Sequence, residues 1–291
     1  MFSISRFQVL IASAALLAGA ATAAEPSAAA KSAVKPAAVR PAAAKPAAPA
    51  LPAMPAQKVV EQYLAARGGA AWKSANTLVL KGKMGAGATT YEAVTKKLTL
   101  ERKEREEMQL PFVLEAKRPN KARWEITFNG KAAVQVFDGK AGYKYRPFLN
   151  RSDWEPYTPE ELKSAQAEPG LEGWLASAVA DGARVDSDGT EKVGDAACYR
   201  LKVTRKDGLS RHVWIDGKTF LEAREDGAPR SLDGRPHDVA VSMSDYRKVD
   251  GLMVPFVVET SVKGVAKTEK MTIESASVNV PVDDGRFTRP H

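Results

Sequence analysis

The sequence predicts a mainly β fold of the α+β class, in which antiparallel strands curl into a barrel or partial barrel and short helices plug its concave face. Three observations lead there. Asp-Gly or Asn-Gly pairs sit between apolar runs in FNGK (128–131), FDGK (137–140) and IDGK (215–218), and such pairs supply the positive φ of a tight hairpin turn. In ARWEITF (122–128), Trp124, Ile126 and Phe128 alternate with Arg123, Glu125 and Thr127, the pattern of a sheet with one apolar and one wet face. Links between such runs are short, which joins neighbours antiparallel and not through βαβ crossovers.

The elements follow in order. Arg6, the apolar run 7–18 and the small residues up to Ala23 and Ala24 have the layout of a cleaved secretory leader, so 1–24 reads as a signal peptide. The run is short for a bilayer span, and no cysteine sits at the cleavage point to take a lipid. Residues 25–56 are almost wholly Ala, Pro and Lys; with little bulk to bury, they read as a disordered tether. Residues 57–291 form one domain. It opens with a helix carrying Val59, Val60, Tyr63 and Leu64 at helical spacing and stopped by Gly68-Gly69. Strands follow at 77–84, 122–128, 132–137, 141–145, 198–204, 211–216, 219–225, 238–246, 252–262 and 268–278, about ten in all, and the charged stretch 96–110 is read as one more. A helical excursion at 158–181 interrupts them; Thr158, Pro159 and Glu161 there match a capping box with Pro at the first helical position. So many strands in one sheet twist and curl, and the helices are the available plug.

Composition narrows the chemistry. The net charge is +8, of which Arg6 and the tether carry half, leaving a domain of about +4, a mild excess that does not call for nucleic acid. One cysteine, Cys198, permits no internal disulfide. His212, His237 and His291 lack the spacing of a metal site, and no HExxH or CxxC occurs. GxSxG, GxxxxGK[ST] and GxGxxG are likewise missing. The acidic pairs Asp153/Glu155 and Glu160/Glu161 sit beside Pro and Thr at a helix start, where carboxylates cap. GYKYRPF has the basic and aromatic residues of a strand-binding surface, but aromatic wall residues are the better reading. The chain is therefore read as a non-enzyme without metal or cofactor.

Several blocks together resemble a known family. AKRPNKARWEITFNGKAAVQVFDGKAGYKYRPF (116–148) followed by EPYTPEEL is similar to the outer-membrane lipoprotein-sorting family, the LolA-like periplasmic carriers and their relatives. ARGGAAWKSANTLVLKGKM (66–84), RHVWIDGKTFLEAR and SDYRKVDGLMVPFVVE extend the likeness over about 66–280. The resemblance implies an unclosed antiparallel barrel over helices that act as a lid on an apolar cavity. It implies a soluble periplasmic monomer that holds a lipid or the acyl chain of a lipoprotein and exchanges it with donor or acceptor proteins of the inner or outer membrane. The candidate cavity wall is Trp124, Ile126, Phe128, Val136, Tyr143, Tyr145, Tyr199, Leu201, Val203, Val213, Ile215, Met243 and Met253. The alternative is an envelope regulatory or scaffold module that binds a protein partner on the same fold.

Overall fold

The computed structural model describes residues 51–86, 108–147, 153–167, 170–232, 234–266 and 268–289. The leader, the tether up to residue 50 and all but the end of 96–110 lie outside the described residues.

Helix α1 (Ala56–Ala66) starts on Pro55, whose carbonyl accepts the N–H groups of Lys58 and Val59 at 2.9 and 3.1 Å. It ends at Gly68 and Gly69, both with positive φ. A Cβ on Gly68 would stand 2.6 Å from the Gly251 carbonyl, so this glycine lets the helix end meet the sheet backbone. Just before α1, within the stretch read as tether, Leu51 and Met54 pack against the domain and the Tyr199 hydroxyl donates to the Pro52 carbonyl at 3.0 Å. A single turn, α2 (Ala71–Ser74), leads into the strands.

The strands are β1 (Thr77–Ala86), β2 (Met108–Lys117), β3 (Lys121–Phe128), β4 (Lys131–Phe137), β5 (Gly142–Tyr145) and β6 (Trp154–Pro156), then β7 (Arg184–Val193), β8 (Ala196–Thr204), β9 (Ser210–Asp216) and β10 (Glu222–Asp226). After a small separate hairpin, β11 (Arg230–Leu232) and β12 (Arg235–His237), come β13 (Val239–Val249), β14 (Leu252–Val262) and β15 (Glu269–Val278). Thirteen of them form one antiparallel sheet in the order β6-β5-β4-β3-β2-β1-β15-β14-β13-β10-β9-β8-β7. The first and last strands pair in its middle, and β6 and β7 are its two edges, so the curved sheet is unclosed. The chain passes from one edge to the other through α3 (Pro159–Ala167) and α4 (Trp174–Ala180), the foreseen helical excursion. Its capping box forms: Thr158 Oγ1 accepts from the Glu161 N–H at 3.2 Å and Glu161 Oε2 from the Thr158 N–H at 2.8 Å.

All three Asx-Gly pairs stand at corners, but only Asn129-Gly130 makes the expected two-residue turn: of the second pair Gly139 alone has positive φ, and neither Asp216 nor Gly217 has it, their links to the next strands being longer. Asn129 and Gly130 both have positive φ, as a two-residue type I′ hairpin requires. Asp138 Oδ1 accepts the N–H groups of Lys140 and Ala141, and Asp216 Oδ1 those of Lys218 and Thr219. Strand β7, absent from the expectation, has no buried residue and a register break near Gly189, features that protect a sheet edge from further pairing and also erase its periodicity.

Register gives the sheet two faces. On one, Ile126 stands beside Phe112, Gly82 and Ile273, and Met271 beside Val258 and Met243; it continues through β10 to Val213 and Leu201. Helices α1 and α4 pack on this inner face at β8 and β9. On the other, Arg123, Val136 and Tyr143 lie side by side. There the chain end folds back as a strap: a 3-10 turn at Asp284–Phe287 buries Phe287 completely. Arg286 Nε donates to both Glu115 oxygens at 2.8 and 2.9 Å, and Arg289 lies over the Tyr143 ring at 5.4 Å. Asp284 bridges Lys117 and Lys121 at 2.8 and 3.0 Å. Phe287→Ala is expected to cost about 3–5 kcal/mol in urea unfolding, the range for a fully buried aromatic; a loss below about 1 kcal/mol would place the strap outside the cooperative unit.

Candidate functional site

The inner face holds two apolar clusters. The first spans β1, β2, β3, β13, β14 and β15; the second joins β8 and β9 to α1 and α4. They differ in what covers them. In the second, Val59, Val60, Tyr63, Trp174, Leu175 and Ala178 from helices meet Tyr199, Leu201, Val203, Val213 and Ile215 from strands, a balanced helix-on-sheet core. In the first, 18 of the 21 buried residues belong to strands; among the described residues only Trp72, Ala75 and Leu171 come from outside the sheet.

Between the clusters lies β10, whose inward residues are carboxylates. Glu222 stands opposite Ile215 and Glu225 opposite Val213, with a register shift between Glu222 and Arg224. Regular alternation would send residues three apart to opposite faces; the extra residue of the bulge turns both inward. Both are buried, at 1% and 2% exposure.

Arg67, 2% exposed at the end of α1, pairs with Glu222. One terminal nitrogen donates to Tyr63 Oη at 2.9 Å and to Glu222 Oε2 at 3.3 Å; the other reaches the Glu172 carbonyl at 3.4 Å. The guanidinium plane lies over Trp72 at 4.8 Å, with its carbon 5.6 Å from the centre of the Tyr63 ring. A planar, always charged group suits this position because its face stacks while its edge donates. The Arg67 carbonyl accepts from Trp72 Nε1 at 2.9 Å and from the Met253 N–H at 3.0 Å, and Tyr246 Oη donates to the Glu222 carbonyl at 2.9 Å. Burial by itself disfavours the Arg67 charge, but Tyr63 and Glu222 outweigh it and hold its pKa above the usual arginine value. Two further polar links tie the helical layer to the sheet. Arg118 pairs with Glu172 and donates to the Ala75 and Trp72 carbonyls at 2.7 and 2.9 Å, and Lys144 binds Glu161 at 2.6 Å.

The expected wall residues separate into three groups. Trp124, Ile126 and Met243 belong to the first cluster, where Phe112 stacks on Trp124 at 5.0 Å, and Phe128 ends the same face of β3. Tyr199, Leu201, Val203, Val213 and Ile215 are the floor of the helix-sealed second cluster. Val136, Tyr143, Tyr145 and Met253 are not on the inner face. Val136 pairs with Tyr143 opposite Arg123, Tyr145 shares their side, and Met253 lies between the inward Leu252 and Val254. Alternation shows which residues share a face, but β4 is apolar on both faces, and the strap that buries its outer side comes from far along the chain.

No group of three or more metal-binding side chains exists among the described residues, and no described helix is long and apolar enough to cross a membrane. Cys198 is fully buried, and burial, with Asp216 adding, pushes its thiol from 9.0 up to about 12, the behaviour of an inert thiol. An open cleft of about 610 Å³ lies between Asn76, Thr77, Lys117 and 279–283, away from both clusters; Lys117 there is already engaged by the Val282 carbonyl.

Removing Arg67 alone leaves Glu222 buried without its counter-charge. Arg67→Ala is therefore expected to cost about 3–5 kcal/mol in urea unfolding, while Arg67→Met with Glu222→Leu regains most of that loss; equal losses in both variants would contradict the pairing. Alkaline stability follows from burial. It raises Tyr63 and Tyr246 well above 10.0 and Cys198 above 9.0, so the unfolded chain loses these protons first. Stability from these groups is complete below about pH 9 and falls as pH rises from there toward 12. Urea midpoints measured from neutral pH upward are expected to decline only above about pH 9, and Cys198→Ala to reduce the first part of the decline.

No protein-family model matches the chain, and no curated protein sequence matches it. Solved structures do. A LolA superfamily protein from Nitrosomonas europaea is 13% identical over 81% of this chain and 99% of that one, with a TM-score of 0.50. A DUF1329 family protein from Desulfovibrio piger is 14% identical over 80% and 97%, with a TM-score of 0.51. At such identities the likeness is one of fold. The chain has the LolA-like fold, a large, curved, unclosed antiparallel sheet with a few short helices.

Proposed function

We propose that this domain is a carrier that holds a lipid, or the acyl chain of a lipoprotein, against the first inner-face cluster. The observation that supports this reading is the imbalance of that cluster: eighteen buried strand residues share it with three from outside the sheet among the described residues. The neighbouring second cluster, with its matched helical cover, is built as a closed core. The proposal therefore centres on Trp124, Ile126 and Met243, with Phe128 at the rim. It leaves Tyr199, Leu201, Val203, Val213 and Ile215 to the core, and Val136, Tyr143, Tyr145 and Met253 to the outer face.

An acyl chain needs buried apolar area and no reacting group. Each methylene taken from water contributes about 0.8 kcal/mol, so about ten give on the order of 8 kcal/mol before the costs of ordering. The leader-like N-terminus and basic Ala/Pro tether fit an exported, soluble monomer working between membranes, where it would receive its cargo from one membrane protein and release it to another.

The test is to purify the exported chain, extract it, identify lipid by mass spectrometry and titrate a fluorescent acyl probe. The reading expects co-purified lipid and saturable probe binding. Ile126→Glu is expected to weaken the probe at least about tenfold, or 1.4 kcal/mol, while Tyr143→Ser on the outer face leaves it unchanged. A folded chain that carries no lipid and binds no probe would refute the carrier and favour a module that docks a protein partner.

A further inference from the structure

The charged seam of β10 stands where a continuous apolar wall would be expected. From β3 to β8 the inner face presents mainly apolar side chains, but at β10 it presents Glu222, met by Arg67, and Glu225. Cluster one stops on one side of it, at Val239, Val241 and Met243, and cluster two starts on the other, at Val213 and Ile215. The network is not fully satisfied internally: Glu222 Oε1 and Arg67 Nε are buried without a hydrogen-bond partner. An alkyl chain pushed past them would set methylenes against groups that need donors and acceptors, so chain beyond this line gains nothing from burial.

We propose that the Arg67–Glu222 pair, with Glu225 beside it, is the end wall of the acyl site and sets the length of chain the protein accepts. The inference rests on the carrier reading and adds a specificity determinant to it. Arg67 and Glu222 act here as boundary residues; the chain is measured by where the apolar wall stops. The bulge in β10 is the local cause, because it turns a second carboxylate inward where a regular strand would have turned it out.

A homologous series of straight-chain fatty acids, each competing with a fluorescent acyl probe on the intact protein, tests this. For the unsubstituted chain, affinity is expected to rise about fourfold per added methylene and then level off at a defined length. In Arg67→Met with Glu222→Leu the plateau is expected to move to longer chains, because the two apolar regions become continuous. Val241→Phe, which narrows the apolar side of the seam beside Glu225, is expected to move it to shorter ones. A purely structural network would change the urea midpoint and leave the plateau in place. A plateau unmoved in either folded variant overturns the partition and leaves the carrier standing. If the unsubstituted chain binds no member of the series, the carrier reading itself fails and the partition with it.

Discussion

Among the described residues, Arg67 is the buried cation that ties the end of α1 to the sheet at the boundary between the two clusters. It ends α1, stacks on Trp72, donates to Tyr63 and Glu222, and receives the Met253 backbone on its carbonyl. A guanidinium with 2% exposure is tolerable only because each of these contacts is in place. Its geometry therefore fixes where α1 sits on β10 and β14, and α1 in turn fixes where Trp72 can reach over the first cluster. Arg118 repeats the device a short distance away through Glu172, the residue whose carbonyl also serves Arg67.

The consequence is an interior that is not one core. On the β8 and β9 side, helices and strands interlock as in an ordinary two-layer domain. On the β1 to β3 and β13 to β15 side, the buried apolar residues come almost wholly from the sheet, and of these only Trp72, Ala75 and Leu171 reach in from outside it among the described residues. Apolar surface of that extent is stable only when something lies on it. The unclosed topology, with β6 and β7 left as edges and the chain carried between them by α3 and α4, is what allows the helical cover to be partial.

Much of this was legible in the sequence because it is local. The Asn129-Gly130 turn, the Gly68-Gly69 stop and the Thr158/Glu161 capping box are decided by φ preference and hydrogen bonds within a few residues, and each formed as read. Alternation in 122–128 correctly grouped Trp124 with Ile126. What alternation cannot say is which side acquires the helices. Val136, Tyr143 and Tyr145 lie on the outer face, where Arg289 of the strap, about 140 residues later, covers Tyr143 and Trp154 stacks on Tyr145, and Met253 shows how a half-buried outer position resembles an inner one. Glu222 and Glu225 escaped notice for a different reason: in TFLEARE a regular strand places them on opposite faces, and only the bulge brings them together. A paired buried cation, which Arg67 supplies from 155 positions away, has no local signal at all.

In the proposed carrier the first cluster meets the ligand and the second does not. Fluorescence quenching by a brominated acyl chain in single-tryptophan variants addresses it directly, because the five tryptophans sample different places. Trp124 lies in the first cluster, Trp174 in the second, and Trp214 pairs with Arg200 and Arg224 away from the inward side chains of β9. Saturable quenching is expected of the variant that retains Trp124, with Trp174 and Trp214 unaffected. Quenching of Trp174 with Trp124 untouched would contradict it.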